Sequence, residues 1–261
     1  MSTPEPLTAT LLRWQGDGFV ELDYCDPAET AVLAADSWLV TDGRALALEL
    51  HRARFLGALP AEVDAEDFWA AAIAAIPRTG DWFPRVELQK RRGGHELVLR
   101  LRSAPERRET AVLATATSDP RTQPTIKGPD LEAMLRLRTL AQAEGADEAA
   151  IVTPEGYVVE GAYSALVWWR GAILCTPPAD FARIDSVTAR ALTGLAVALG
   201  VELFEEAVTP AELDGTELWA LSALHGPRIV TGWVDGPALA ALPGRLRLWR
   251  QRLDALRHPL G

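Results

Sequence analysis

Cysteine, histidine and lysine are all scarce in this chain of 261 residues. Cys25 and Cys175 are too few for a disulfide framework or a thiolate metal cluster. His51, His95, His225 and His258 stand far apart without ligand spacing, so no metal centre is expected. No apolar run is long enough to span a bilayer. The longest, residues 189–204, is interrupted by Arg190, Glu202 and two glycines. The first residues lack a basic stretch followed by an apolar one, so no secretory signal is read there and a cytoplasmic location is expected. Positive charge is also in deficit: the net charge of −10 gives no electrostatic reason to bind nucleic acid or an anionic membrane. What positive charge there is comes almost entirely from arginine, because Lys90 and Lys127 are the only lysines among 26 basic residues.

What is present describes an ordinary globular protein, 48% hydrophobic and 24% charged, long enough for one large domain or two smaller ones. The first part reads as strands and hairpins with one helix. Two strand-like arms flank the Asp42-Gly43 turn, two more flank Gly93-Gly94, and "ETAVLATAT" adds another. "AEVDAEDFWAAAIAAI", residues 61–76, reads as a helix. The polar, proline-bearing "SDPRTQPTIKGPD" is the expected division. It separates a small amino-terminal α/β domain (1–118) from a larger carboxy-terminal domain (126–261) through a connection at 119–125. Beyond it, helices are expected at 131–144 with Asp130 as N-cap, from Ser186 to the C-terminal glycine Gly200, and at 237–256. Between them lie short strands that include "VELFEEAV", "ELWALSAL" and "RIVTGWV". The class is α+β, since nothing shows the regular alternation of a doubly wound parallel sheet.

Lys127 sits in the Pro/Gly-flanked loop "PTIKGPD". A guanidinium stays protonated, whereas a lysine amine can lose its proton and attack a carbonyl. Schiff-base chemistry is therefore one reading of this position, and a solvated loop cation is the other.

Downstream, "GADEAAIVTPEGYVVEGAYSALVWWRGAILCTPP" places Glu160 at the end of an apolar strand, directly before Gly161. With Lys127 before it, "DSVTARAL" and "LSALHGPRIV" after it, and "HRAR" (His51 to Arg54) upstream, this stretch resembles the class IV aminotransferases. These are pyridoxal-phosphate enzymes of fold type IV, which include branched-chain and D-amino-acid aminotransferases and aminodeoxychorismate lyase. The likeness covers residues 44–56 and 121–233. It implies a two-domain fold with a β-barrel-like sheet in the larger domain, pyridoxal 5'-phosphate as cofactor, a homodimer, and an amino acid and a 2-oxo acid as substrates. Lys127 matches the lysine that forms the Schiff base and moves the substrate proton, and Glu160 matches the partner of the ring nitrogen. Arg54, Val187, Thr188, Ser222 and Ala223 match the phosphate-binding positions. The start of the Ser186 helix suits that role, because free backbone N–H groups and the helix dipole favour an anion. His51 reads as a packing neighbour. For the substrate, Ser37 falls at a threonine position, and Arg121 is a candidate for the carboxylate.

Three departures stand out. The asparagine that follows the family's glutamate is Ala165, the glycine-rich motif of the amino-terminal domain is replaced by "ADSWLVTDGR", and the branched-chain tyrosine after the lysine is absent. Transamination is the first reading. Aminodeoxychorismate lyase, releasing pyruvate and 4-aminobenzoate, is the alternative, and a catalytically silent relative is the third. Trp168 and Trp169 read either as pocket walls or as alternating sheet residues.

Overall fold

The computed structural model describes residues 9–22, 30–91 and 93–261; Cys25, Arg92 and the first eight residues lie outside them. By compactness the chain forms two units. One holds residues up to Arg107, Ile126–Pro129 and Arg257–Gly261, and the other holds Arg108–Thr125 and Asp130–Leu256.

In the first unit the chain runs through β1 (Thr10–Trp14), β2 (Phe19–Glu21), β3 (Ala31–Ser37), β4 (Val40–Thr41) and β5 (Arg44–Leu46). It continues through α1 (Leu48–Gly57), α2 (Glu66–Ala75), β6 (Asp81–Trp82), β7 (Arg85–Arg91) and β8 (Gly94–Leu101). The main sheet has the order β2-β1-β8-β7-β3, which leaves β3 on an edge. The period-two geometry of a strand sends Val86, Leu88, Leu97 and Leu99 to one face, where they pack with Phe55, Phe68 and Trp69 from the helices. Arg85, Glu87, Gln89 and Arg100 take the other face. Two expectations shift here. The helix expected at 61–76 begins at Glu66, and α1 stands where no helix was read, entered through Ala47 at φ 49°.

The second unit contains β9 (Thr110–Thr115), α3 (Leu131–Ala143), β10 (Glu148–Val152), β11 (Val158–Gly161), β12 (Ala165–Arg170) and β13 (Ile173–Thr176). There follow α4 (Val187–Ala198), β14 (Leu203–Glu205), β15 (Glu217–Ser222), β16 (Gly226–Val234) and α5 (Pro243–Ala255). The eight strands form one mixed sheet in the order β11-β10-β9-β16-β15-β12-β13-β14, curled into a half-barrel. Alternation again divides the residues: Leu113 and Ala150 join one core with Val158, Leu166, Trp168 and Val230, while Ala114, Ala149 and Ile151 pack on Met134, Leu137 and Ala141 of α3. Trp168 and Trp169 are both buried. Trp169 meets Trp219 and Trp249, so both are core residues within this unit. The last helix begins at Pro243, not at 237 as expected, because a proline is tolerated in the first turn but would break a helix running through it. The chain then returns to the first unit as β17 (Arg257–Pro259), paired with β5.

Candidate active site

Lys127 is held by its backbone. Its carbonyl accepts a 2.7 Å hydrogen bond from Ala35 N, so Ile126–Pro129 caps the open edge of β3. Gly128 makes the approach possible: φ is 140°, and a Cβ there would lie 2.8 Å from Ala34 Cα, Ala34 C and Ala35 N. Only glycine fits. At the foot of the excursion, Asp130 departs from the capping role expected of it. Its side chain makes no cap bond to α3 and instead accepts from Thr122 N, Thr122 Oγ1 and Gln123 N at 3.0, 2.7 and 2.9 Å.

The residue after Ala35 begins a buried cluster that also belongs to the first unit. Asp36 is fully buried. It accepts from Arg54 through both edges of its carboxylate, Nε to Oδ2 at 2.7 Å and Nη2 to Oδ1 at 2.8 Å. His51 Nδ1 donates to Oδ1 at 2.7 Å, since a carboxylate only accepts. Burial opposes the Asp36 charge, but His51 and then Arg54 outweigh it and bring the carboxyl from 3.8 to about 2. His51 moves down from 6.5: its burial dominates the pull of Asp36, and Arg54 and Lys127 add repulsion. Lys127 is close enough to contribute to the field at His51. Ser37, one residue on, is buried with its N–H on Asp36 Oδ1 at 2.7 Å. Sequence reasoning passed over Asp36. Its signal was a carboxylate closing the apolar strand "AVLAAD".

Glu160, at the end of β11, is buried, and Oε1 accepts from Arg121 Nη1 at 2.6 Å. Arg121 is itself only 7% exposed and is forked onto Asp119, with Nε on Oδ1 at 2.8 Å and Nη2 on Oδ2 at 2.7 Å. It donates as well to Ala182 O at 3.0 Å. This arginine is thus the ion-pair partner of Glu160, with its fork spent on protein carboxylates. Ile184 N lies 3.4 Å from the other oxygen of Glu160.

The turn after Glu160 has support where the family's asparagine is missing. Buried Glu148 accepts from Tyr163 N at 2.5 Å, Ser164 Oγ at 3.0 Å and Arg228 Nη2 at 2.6 Å. Gly161 leaves room for this network, since a Cβ would come within 2.5 Å of Ser164 Oγ and 2.7 Å of Glu148 Oε1. In the same unit, Ser186 caps α4 by accepting from Ala189 N at 3.3 Å, and Val187 and Thr188 form the buried first turn. A helix leaves these first N–H groups without acceptors of its own. Ser222 and Ala223 lie on the turn from β15 to β16, where Ser222 Oγ accepts from His225 N at 3.2 Å. A cavity of about 720 Å³ adjoins the α4 cap, walled by Thr125, Ala165, Phe181, Ile184 and Ser186 among others. Among the described residues no cluster of histidine, cysteine and carboxylate suits a metal, and no helix is long and apolar enough to cross a membrane.

A strand-rich first unit and a half-barrel second unit are the architecture of the fold type IV enzymes. The likeness extends over whole chains. The fold IV-transaminase CpuTA1 from Curtobacterium pusillum superposes with a TM-score of 0.78 at 22% identity, covering 95% of this chain and 97% of its own. The PLP-bound form of a hypothetical aminotransferase from Mycobacterium tuberculosis gives 0.77 at 23%, covering 95% and 98%. The branched-chain aminotransferase from Thermoproteus uzoniensis, with norvaline, gives 0.80 at 18%, covering 97% and 100%. No curated protein matches the sequence. The pattern of the family described as amino-transferase class IV matches residues 33–233. The chain belongs to the class IV aminotransferase family.

Proposed function

We propose that this protein is a pyridoxal-phosphate-dependent aminotransferase that moves an amino group between an amino acid and a 2-oxo acid. The observation that carries the proposal is the built seat of Lys127: a glycine that no other residue can replace, a backbone bond to β3 and a closed foot on Asp130. A surface cation would need none of these.

The donor set suits the cofactor. An amine at Lys127 matches an aldehyde, and an arginine-paired carboxylate at Glu160 matches a protonated ring nitrogen. The α4 amide groups of Val187 and Thr188, the Thr188 hydroxyl, the Ser222-Ala223 turn and Arg54 match a phosphate. When bound, the cofactor supplies an electrophilic carbon and an electron sink. Lys127 Nζ would hold that carbon and, once the incoming amine has displaced it, would be the base that takes the substrate α-proton and returns it. Glu160 would hold the ring nitrogen in its protonated form, with Arg121 fixing the orientation of the Glu160 carboxylate. In this reading Arg121 serves the cofactor side, Ser37 stands at the substrate side, and Asp36 fixes Arg54. A structure of a hypothetical aminotransferase from M. tuberculosis with alpha-ketoglutarate and PMP, 22% identical to this chain, supports a 2-oxo acid as amino acceptor. A homodimer is part of the proposal, and light scattering tests it.

The test is to mix loaded protein with candidate amino donors and no oxo acid. Stoichiometric conversion of the cofactor to its amine form is expected. Repeated release of pyruvate and 4-aminobenzoate from aminodeoxychorismate would make the protein a lyase instead, and protein that takes up no cofactor would make it a silent relative.

A further inference from the structure

Between β13 and α4 the chain runs through residues 177–186 without helix or strand. This loop nevertheless meets both members of the buried ion pair described above. Ala182 O accepts from Arg121 Nη1 at 3.0 Å, and Ile184 N lies 3.4 Å from Glu160 Oε2. The residue between them is Arg183.

Asp180 and Asp185 stand close to Arg183 in the chain, but its guanidinium turns into the loop itself. Nη1 donates to Pro178 O and, at 3.1 Å, to Phe181 O, while Nη2 donates to Pro177 O at 2.9 Å. All three acceptors are backbone carbonyls. A loop gives its carbonyls no ladder of partners, and those withdrawn from water need a donor from elsewhere. The consecutive prolines make the need sharper, because neither brings an N–H to the turn. Arginine meets it with five N–H donors fixed in one plane. Burial makes Arg183 easier to deprotonate than an ordinary arginine, and Glu160 is the carboxylate that opposes this most, so the two charges lie within reach of each other. The loop is pinned at two further points in the same unit. Ala179 N donates to Glu205 Oε2 at 2.9 Å, and the Phe181 ring stacks on Tyr157 with centroids 6.3 Å apart.

We propose that Arg183 is a positioning residue for the reaction. By gathering the carbonyls of Pro177, Pro178 and Phe181 it fixes Ala182 and Ile184, and through them the direction in which Arg121 and Glu160 point. This rests on the aminotransferase reading, in which Glu160 serves the ring nitrogen. Arg183 acts through its two neighbours, so its removal should slow proton removal from a bound donor without weakening the donor's binding.

The test follows exchange of the α-proton of an amino donor in protein saturated with pyridoxal phosphate. Arg183→Gln should keep the cofactor and an unchanged KM for the donor, but exchange about tenfold or more slowly, since a displacement of about 1 Å near the chemistry costs on the order of 100-fold. Arg183→Lys should recover part of the rate, because an ammonium keeps the charge and three donors but not the fork. Should Arg183→Gln fail to fold, Arg183→Lys carries the test, with a smaller loss expected. Wild-type exchange in the folded, loaded variant overturns the proposal. So does a loss confined to the thermal midpoint or to cofactor retention, which a brace for the fold alone would give. Amide hydrogen exchange on cofactor-free protein separates this result from the aminotransferase reading. The peptides that carry Arg121 and Glu160 should exchange faster in Arg183→Gln than in wild type. If wild type takes up no cofactor and these peptides still loosen, the aminotransferase reading fails and the hold of Arg183 on the ion pair stands. Unchanged exchange in both peptides overturns the proposal whether or not cofactor binds.

Discussion

Replacing Gly128 with alanine should disable the protein from a position that bears no chemistry. The new Cβ would lie 2.8 Å from three backbone atoms of β3, which cannot yield by turning a side chain. The excursion must therefore retreat by more than half an ångström, and the 2.7 Å bond from Ala35 N to Lys127 O is lost or stretched. Losing that bond costs about 1 kcal/mol. Holding a non-glycine residue at φ 140° adds about 1–3 kcal/mol. Together the variant should lose ~2–4 kcal/mol, confined to the Lys127 segment. A reacting group displaced by about 1 Å costs on the order of 100-fold in rate. The assays are turnover with a saturating amino donor and proteolysis of the 122–130 segment under native conditions. A variant with wild-type turnover and unchanged proteolysis would refute the claim that β3 seats Lys127.

Lys127→Ala should abolish turnover and the absorbance of lysine-bound cofactor; wild-type activity in that variant would remove the residue from the chemistry. Glu160→Gln should keep the cofactor but slow exchange of the substrate α-proton, because an amide cannot hold the ring nitrogen protonated; unchanged exchange would place that partner elsewhere. Arg54→Ala and Thr188→Ala should release cofactor during dialysis faster than wild type, with smaller losses of rate once saturated; equal retention would exclude both from the phosphate site. Asp36 gives a pH signature. Its carboxyl lies below its ordinary value when folded, so its stabilisation is full above 3.8 and is lost as the pH falls toward about 2. Asp36→Asn should be less stable than wild type at neutral pH, with the gap in thermal midpoint closing across that window; a gap that stays constant would contradict the pairing.

How far the sequence reaches depends on how local the cause is. Lys127 stands out in the sequence because a lysine in this loop departs from the chain's habit of writing positive charge as arginine. Glu160 is singled out in the sequence by the resemblance, because the stretch around it follows the class IV pattern. α4 announced itself through Ser186 and Gly200, which are local capping signals. α1 had no such signal: its N-cap is Ala47 at positive φ, and its buried residues are only His51 and Phe55. Asp36 was not legible, since its partners lie 15 and 18 residues away and only the packing of α1 on β3 brings them together.

The scarcity of lysine makes the central claim testable in one step. Protein incubated with pyridoxal phosphate, reduced with borohydride and digested should carry its covalent adduct on the peptide containing Lys127, with Lys90 unmodified. An adduct confined to Lys90, or none at all in protein that is folded and exposed to excess cofactor, would contradict the account.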